Sequence, residues 1–261
     1  MRRDDSAGEH HGMTASATPR DAASAVVENP TLPAGDDERF VGYGVMGLPF
    51  VSGHYLALRH FPATSFSPGY PGYIAVWHRD PGGTWTFYAT APGQLSCARY
   101  LSSVTTNGPV QCDIDVTWIT PWILHIRIPD LLEWQVEMAP TSATRLASAI
   151  GERLPAWVWT NRAMLHALGW TVGPLLGAGR FRLTGTLPNR QHFMIAPSRV
   201  WAVAKSKAVH RGEDLGPIGP LPRQVRLGDF WPPQRGLFAV GQGHFETLDA
   251  ARHLVVERAG A

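Results

Sequence analysis

Apolar and polar residues alternate through residues 113–140, in three short runs separated by Ile119-Thr120-Pro121 and by Pro129-Asp130-Leu131. Successive side chains of a β-strand point to opposite faces, so this alternation predicts a three-stranded antiparallel meander. In the predicted register the pairs on the apolar face are Trp118–Trp122, Leu124–Val136 and Ile126–Trp134. A face this rich in indole rings must be covered by helices, by the rest of a barrel or by an apolar ligand.

The polar face of the meander carries two predicted rows of side chains, Asp113–Arg127–Glu133 and Asp115–His125–Gln135. One interpretation is an acid–base pair, in which Asp115 orients His125 for proton transfer. The other is a solvated ladder of opposite charges, each pair contributing a few tenths of a kcal/mol. Because one face of an antiparallel sheet is commonly wet, the pattern favours the solvated ladder.

Strand-like runs with turn residues between them continue on both sides of the meander. They cover residues 55–61, 73–79, 84–90, 180–187, 192–196, 200–209 and 236–245. Helical spacing of apolar residues occurs in one region, which predicts helices over 142–150 and about 160–176. The order of strands, two helices and strands predicts a mainly β protein. We expect an antiparallel β-barrel or strongly curved sheet, lipocalin-like in layout, with a two-helix insertion at about 142–176.

Residues 1–38 are rich in Ala, Ser, Asp, Gly and Pro and show no apolar periodicity, which predicts a disordered tail. Residues 39–258 are then a single β-barrel domain containing the helical insertion. No apolar stretch near the N-terminus has the form of a secretory signal, and no uninterrupted run is long enough for a membrane span. These patterns predict a cytoplasmic protein without a transmembrane segment.

The composition is notable for aromatic residues, with ten Trp, ten Phe and six Tyr among 261 residues. A net charge of +2 with scattered Lys and Arg is not typical of a nucleic-acid-binding protein. Cys97 and Cys112 define neither a disulfide framework nor a zinc site, and the histidines lack metal-ligand spacing. No nucleotide-binding or serine-hydrolase motif is present. We therefore expect neither cofactor nor metal, and the sequence leaves the oligomeric state open.

Three stretches, 42–50, 76–80 and 227–236, resemble segments of a bacterial family of conserved hypothetical proteins. The resemblance covers about residues 40–250 and implies no activity or residue role. The predicted layout is also similar to that of the lipocalin-like (calycin) barrels, some of which bind lipophilic molecules and some of which act on polyenes or polyketides. This second likeness is one of layout, since Gly42-Tyr43-Gly44 stands where lipocalins have Gly-x-Trp.

The layout and the aromatic residues together lead to a functional hypothesis, the binding of a small lipophilic molecule in an aromatic-lined barrel cavity. Cofactor-free isomerase, cyclase or hydratase activity is an extension of it. The candidate ligand-binding residues are Trp77, Trp85, Tyr88, Trp118, Trp134, Asp229, Trp231 and Arg235. His78 is the candidate catalytic residue, because it is predicted on an apolar face with Val76, Trp85 and Phe87. A hydrogen-bonded core histidine is the alternative interpretation.

Two further segments leave alternatives open. The loop 229–235 is either a rim over the cavity, in which Asp229 or Arg235 contacts the ligand, or a plug held by an Asp229–Arg235 ion pair. Trp159, Arg162, His166 and Trp170 share a side of the second helix, which suits either a membrane interface or contact with the barrel. The sequence favours contact with the barrel. A non-enzymatic interaction or peripheral-membrane protein, using the helical insertion or the loop 212–235, is the alternative function.

Overall fold

The computed structural model describes residues 17–67 and 72–255. Its helices are α1 (Pro19–Glu28), α2 (Ala98–Leu101), α3 (Ser142–Arg153), α4 (Ala156–Thr160) and α5 (Arg162–Leu175). Its first strands are β1 (Glu38–Pro49), β2 (Tyr55–Thr64), β3 (Tyr73–Arg79), β4 (Trp85–Ala89), β5 (Thr105–Gln111) and β6 (Asp115–Thr120). The remaining strands are β7 (Ile123–Ile128), β8 (Leu132–Ala139), β9 (Thr184–Thr186), β10 (His192–His210), β11 (Glu213–Asp214) and β12 (Leu237–Phe245).

Ten of the strands form one strongly curled sheet in the order β5-β4-β3-β2-β1-β12-β10-β8-β7-β6, and β9 and β11 pair with β10. Neighbouring strands are antiparallel, except for the parallel pair β4–β5, which is joined by the helical segment around α2. The predicted mainly β fold with a strongly curved sheet and helices is confirmed. The helical insertion has three helices instead of two, because Pro155 ends α3 and Asn161 caps α5.

The sheet curls around one apolar cluster, which defines its inner face. This cluster joins Val76 and Tyr88, near one end of the sheet, to Ile126 and Trp134, near the other end. Strands so far apart in the sheet share a cluster because the sheet bends toward it. Helix α1 contributes Ala22 and Ala23 to the same cluster, and the Arg20 N–H donates to the Pro121 carbonyl across 3.3 Å.

The opposite, outer face is covered by connections between strands. Its cluster includes Tyr55, Trp77 and Phe193 from the sheet, together with Tyr100 from α2 and Phe230 from the loop before β12. Further along the same face, α3 lies against β10, where Ser148 Oγ accepts from the Val200 N–H at 2.9 Å. The sheet is therefore covered on both faces.

In the meander, the structure confirms the predicted pairing of β7 with β8 and corrects the predicted pairing of β6 with β7. Leu124 pairs with Val136 and Ile126 with Trp134, as predicted. Trp118 pairs with Leu124, not Trp122, because the turn is shorter than expected and a bulge follows Trp118. The rows become Asp115–Arg127–Glu133 and Thr117–His125–Gln135.

The predicted β3–β4 register is also off by one residue. Trp77 pairs with Phe87 and Val76 with Tyr88, so Trp77, Trp85 and Phe87 share the outer face. Val76, His78 and Tyr88 share the inner face. The turn Asp80–Gly83 is closed by its own hydrogen bonds, including Thr84 N–H to Asp80 Oδ1 at 2.8 Å, and this sets the pairing.

Part of the N-terminal region expected to be disordered is a helix. Thr18 and Asp21 form a capping box at the start of α1, and Pro19 occupies the first turn. Both features favour helix initiation. Residues 1–16 lie outside the described residues. Within the described parts of the chain, no helix is long and apolar enough to cross a bilayer.

Candidate functional site: a buried arginine in an aromatic cavity

A partly enclosed cavity lies on the outer face, between the central strands and the loops that cover them. It offers about 90 Å³ to the centres of water molecules, whereas one water needs roughly 10–15 Å³ by the same measure. Its aromatic side chains from the outer face are Phe40, Phe61, Tyr73, Trp77, Tyr100, Phe193, Phe230 and Phe245. This cavity suits a small apolar group of roughly six to nine non-hydrogen atoms, each about the size of a water molecule.

The sheet forms the floor of the cavity, and the central strands carry small residues there. Gly42 on β1 pairs with Gly241 on β12, and both line the cavity together with Ala239. A Cβ on Gly42 would lie 2.0 Å from the His60 carbonyl oxygen, and one on Gly241 would lie 2.5 Å from that of Ala196. These backbones approach too closely for a side chain, which leaves a depression in the sheet.

Arg59, on β2, is the charged residue of this cavity and is 5% exposed. Strand β1 bulges near Val45–Gly47, where its register with both neighbours shifts. Arg59 Nη1 donates to the carbonyls of Val45 and Leu58 at 2.7 and 2.8 Å, and Nη2 donates to that of Met46 at 3.0 Å. The guanidinium therefore supplies donors to three main-chain carbonyls beside the bulge.

The carbonyl contacts leave Arg59 without a counter-charge. Among the described residues it forms no ion pair, and its guanidinium carbon lies 4.4 Å from the centre of the Trp77 ring. Burial lowers the pKa of Arg59 to about 10, so it remains a cation at neutral pH. Burial also raises the pKa of the Cys97 thiol and of the Tyr55 and Tyr73 phenols, so these neighbours keep their protons. As far as the structure describes the chain, the cavity thus holds one positive charge with no carboxylate beside it.

The roof over the cavity is anchored by a buried carboxylate. Glu38, at the start of β1, accepts a hydrogen bond from the Tyr100 hydroxyl at 2.6 Å and pairs with Arg99 at 2.9 Å. Gln191 Nε2 also donates to Glu38, at 3.3 Å. Because Tyr100 lines the cavity, this network of hydrogen bonds attaches the roof of the cavity to β1.

The structure separates the aromatic residues that the sequence grouped as one binding site. Trp77 lines the cavity, and Trp85 belongs to the same outer cluster without appearing in the lining. Tyr88, Trp118 and Trp134 lie on the inner face. Trp134 is completely buried there and donates from Nε1 to Ser206 Oγ at 2.9 Å. The sheet therefore lies between these three residues and the Arg59 cavity.

His78 lies on the inner face of β3, and the Trp85 and Phe87 neighbours predicted for it are on the other face. Its Nε2 is 2.9 Å from His54 Nδ1, and its ring centre is 4.2 Å from that of His210. Burial, followed by repulsion from His210 and His54, lowers the pKa of His78 to about 3. His78 is thus a neutral, hydrogen-bonded imidazole that cannot reach the Trp77 cavity without crossing the sheet.

His125, the other candidate for proton transfer, lies on the exposed ladder of the meander. Its Nε2 is 2.7 Å from Glu133 Oε2, and Arg127 Nε donates to Glu133 Oε1 at 3.0 Å. Asp115 contacts Arg127, not His125. The structure therefore does not form the predicted Asp115–His125 pair.

The loop 229–235 covers the cavity, but not with the residues that the sequence suggested. Phe230 is the residue that enters the lining, where its ring centre lies 6.2 Å from that of Trp77. Asp229 pairs with Arg182 at 2.7 Å instead of with Arg235, which is exposed. Trp231 lies outside the cavity lining, with the Arg180 and Arg226 guanidinium carbons 5.2 and 5.5 Å from its ring centre.

Arg59 could have been found from one signal in the sequence. It is a charged residue inside the apolar run 55–61, opposite a strand with glycines at 42, 44 and 47. A buried charge needs polar partners, and the glycines permit the close approach of the backbone carbonyls that supply them.

Among the residues that the structure describes, no group of three or more His, Cys, Asp or Glu side chains is arranged to hold a metal ion. Comparisons with protein families, with curated proteins and with solved structures each found no match. The resemblance to a bacterial family and to the lipocalin-like barrels therefore stays a prediction, since a curled sheet alone does not establish either.

Proposed function

We propose that the protein binds a small, largely apolar molecule carrying one anionic group, a carboxylate in the simplest case. The observation that supports this is the buried Arg59 guanidinium, which has no carboxylate partner among the described residues and lies in an aromatic cavity. A guanidinium has five N–H donors, and three hydrogen bonds to carbonyls leave two for another acceptor. A ligand carboxylate would neutralise the charge while its apolar part contacts the aromatic lining.

The lining favours binding over catalysis. Burial raises the pKa of Cys97, Tyr73 and Tyr100, so these groups stay protonated and are poor bases at neutral pH. A general base needs a pKa near the working pH. We therefore propose a carrier or sensor of the ligand, not the isomerase, cyclase or hydratase that the predicted layout and the aromatic residues together left open.

The first experiment compares ligands of equal length and different charge by isothermal titration calorimetry. Octanoate should bind at least about tenfold more tightly than 1-octanol, because a charge-assisted hydrogen bond contributes roughly 1.5–3 kcal/mol. Octylamine should bind more weakly than either. Equal affinities for the acid and the alcohol would contradict the role of Arg59.

A second experiment tests the location. Ile195 lines the cavity, so Ile195→Trp should fill it and abolish octanoate binding while the circular dichroism spectrum is unchanged. Ile119→Trp is the matched control, because Ile119 is an exposed residue on β6 outside the cavity lining. Octanoate binding that survives Ile195→Trp would exclude this cavity as the site.

A further inference from the structure

Helix α5 is apolar on its exposed side as well as on its buried side. Leu165, Gly169 and Gly173 face the protein, where a Cβ on Gly173 would lie 2.5 Å from the Gly179 carbonyl oxygen. Between residues 163 and 175 the helix has no charged residue, and His166 and Thr171 are its polar ones. A helix that is apolar all round is normally buried, so its exposed half lacks a partner in this structure.

The exposed side of this region carries large side chains. Trp170 is 74% exposed, and Trp157 on the adjoining α4 is 58% exposed. Met164 and Leu175 are exposed on α5 as well. The sequence favoured burial of Trp170 against the barrel, and the structure instead leaves Trp170, Arg162 and His166 at the surface. We call the exposed side chains Trp157, Met164, Trp170 and Leu175 the helical surface.

Charge distinguishes among the partners that an apolar surface could have. The sequence contains no Asp or Glu from residue 153 to residue 212. The same stretch has nine basic residues: Arg153, Arg162, Arg180, Arg182, Arg190, Arg199, Lys205, Lys207 and Arg211. Three of the nine are paired with carboxylates from outside the stretch, Arg182 with Asp229, Arg199 with Glu152 and Lys205 with Glu137. The sequence segment that contains the helical surface still carries an excess of positive charge in a protein with a net charge of only +2.

An open groove brings exposed apolar side chains of α5 and basic residues together. It is lined by Arg162, His166 and Trp170 of α5 and by Arg182, His192 and Asp229 from the sheet side. Asp229 is already paired with Arg182 at 2.7 Å, whereas Arg162 forms no ion pair with a described residue. A guanidinium beside an exposed indole suits a phosphate headgroup above an acyl layer.

We propose that the helical surface docks on an anionic lipid bilayer, with Trp157 and Trp170 at the headgroup level and Arg162 on lipid phosphate. This inference does not depend on the ligand proposed for the Arg59 cavity. A second copy of the chain suits the surface less well, because a symmetric interface would bring like charges together. A bilayer of anionic lipid supplies both the apolar contact and the opposite charge.

Vesicle flotation tests this proposal with the full chain. The protein should float with vesicles of equal parts phosphatidylcholine and phosphatidylglycerol and stay behind with phosphatidylcholine alone, and added salt should weaken the binding. Trp170→Ser and Arg162→Gln should each reduce the affinity about tenfold, which corresponds to partial loss of one indole contact or one ion pair. Both positions are exposed, so the fold should be retained.

Two matched variants serve as controls. Ile119→Ser removes an exposed apolar side chain from β6, and Arg127→Gln removes an exposed cation from β7, outside the basic stretch; both should bind vesicles like the wild type. Equal binding to neutral and anionic vesicles, or unchanged binding of Trp170→Ser, would overturn the proposal. So would a concentration-dependent dimer that Trp170→Ser abolishes in a protein that does not float with vesicles.

Discussion

The Arg59 guanidinium lies 4.4 Å from the centre of the Trp77 ring, and both side chains are buried on the outer face of the sheet. They project from neighbouring strands, where Ala57 pairs with Trp77 and Arg59 with Ala75. The small residue Ala75 leaves the space through which the two side chains meet. A cation held by a ring and by carbonyl oxygens is stabilised without being neutralised.

Arg59 should be important for stability even without ligand. Arg59→Met keeps the apolar stem but leaves the Val45, Leu58 and Met46 carbonyls without their donor. We expect a loss of roughly 2–4 kcal/mol in the free energy of unfolding, since unsatisfied buried groups cost about 1–3 kcal/mol each and part of the bulge can relax. Urea unfolding followed by far-ultraviolet circular dichroism measures this. Arg127→Met, on the exposed ladder, should change stability by less than about 1 kcal/mol.

Phe40 and Gly243 should be energetically coupled. A Cβ on Gly243 would lie 2.1 Å from Cζ of Phe40, so Gly243→Ala should destabilise the protein by roughly 1–3 kcal/mol through overpacking. In Phe40→Ala the ring is gone and the added methyl group has room. A double-mutant cycle by urea unfolding should therefore show a combined loss smaller than the sum of the two single losses. Strict additivity would show that the two residues do not share this space.

Glu38 should contribute far more than an exposed carboxylate. Glu38→Ala leaves the buried Tyr100 hydroxyl without its acceptor and the half-buried Arg99 without its carboxylate, so we expect a loss of roughly 3–5 kcal/mol. Glu133→Ala, which removes an exposed carboxylate bonded to His125 and Arg127, should cost less than about 1 kcal/mol. Thermal and urea unfolding of both variants give the comparison, and similar losses would contradict the assigned role of the Glu38 network.

Stability should fall as the pH drops below about 6.5. In the unfolded chain His78 takes up a proton near the ordinary histidine pKa of 6.5, whereas in the folded protein its pKa is about 3. The unfolded state therefore binds more protons between these values, so His78 supports folding above this window and loses that contribution as the pH falls through it. In this window the His78 contribution can change the free energy of unfolding by about 1.4 kcal/mol per pH unit.

The test is the pH dependence of urea unfolding for His78→Gln. Its stability curve between about pH 6.5 and pH 4 should be flatter than that of the wild type, while the pH-independent loss of the His54 hydrogen bond appears as a vertical offset. His166→Gln, on the exposed side of α5, should keep the wild-type slope. A wild-type slope in His78→Gln would assign the acid sensitivity to other groups.

Strand pairings that depend on residues close together in the sequence were easier to predict than features that depend on bulges or on distant segments. The Leu124–Val136 and Ile126–Trp134 pairs could be predicted because one short turn sets them, with Asp130 in the left-handed conformation at φ +57°. Trp118 was misplaced because a bulge leaves no mark in an alternating pattern. Helix α1 had a visible signal, the Thr18–Asp21 capping box, but its short apolar stripe did not stand out from the polar tail.

The sequence indicated an aromatic-lined cavity but not where the fold would place one. The aromatic composition indicated an apolar cavity, and Trp77 does line one. Its roof, however, comes from Tyr100, Leu187 and Phe230, which belong to three connections far apart in the chain. No local pattern relates such segments, and a shift of one residue in the β3–β4 register places Trp85 on the face opposite His78 instead of beside it.

The glycine pair at 42 and 241 has a consequence for how ligand selectivity can change. Because an added methyl group at either position meets a neighbouring main-chain oxygen, the cavity cannot be reshaped from below without moving strands. Variation in the size of the proposed ligand would instead come from covering side chains such as Leu101, Leu187 and Phe230, which belong to connections between strands. For the proposed ligand, selectivity would therefore be altered through these three covering residues, while the sheet beneath them stays unchanged.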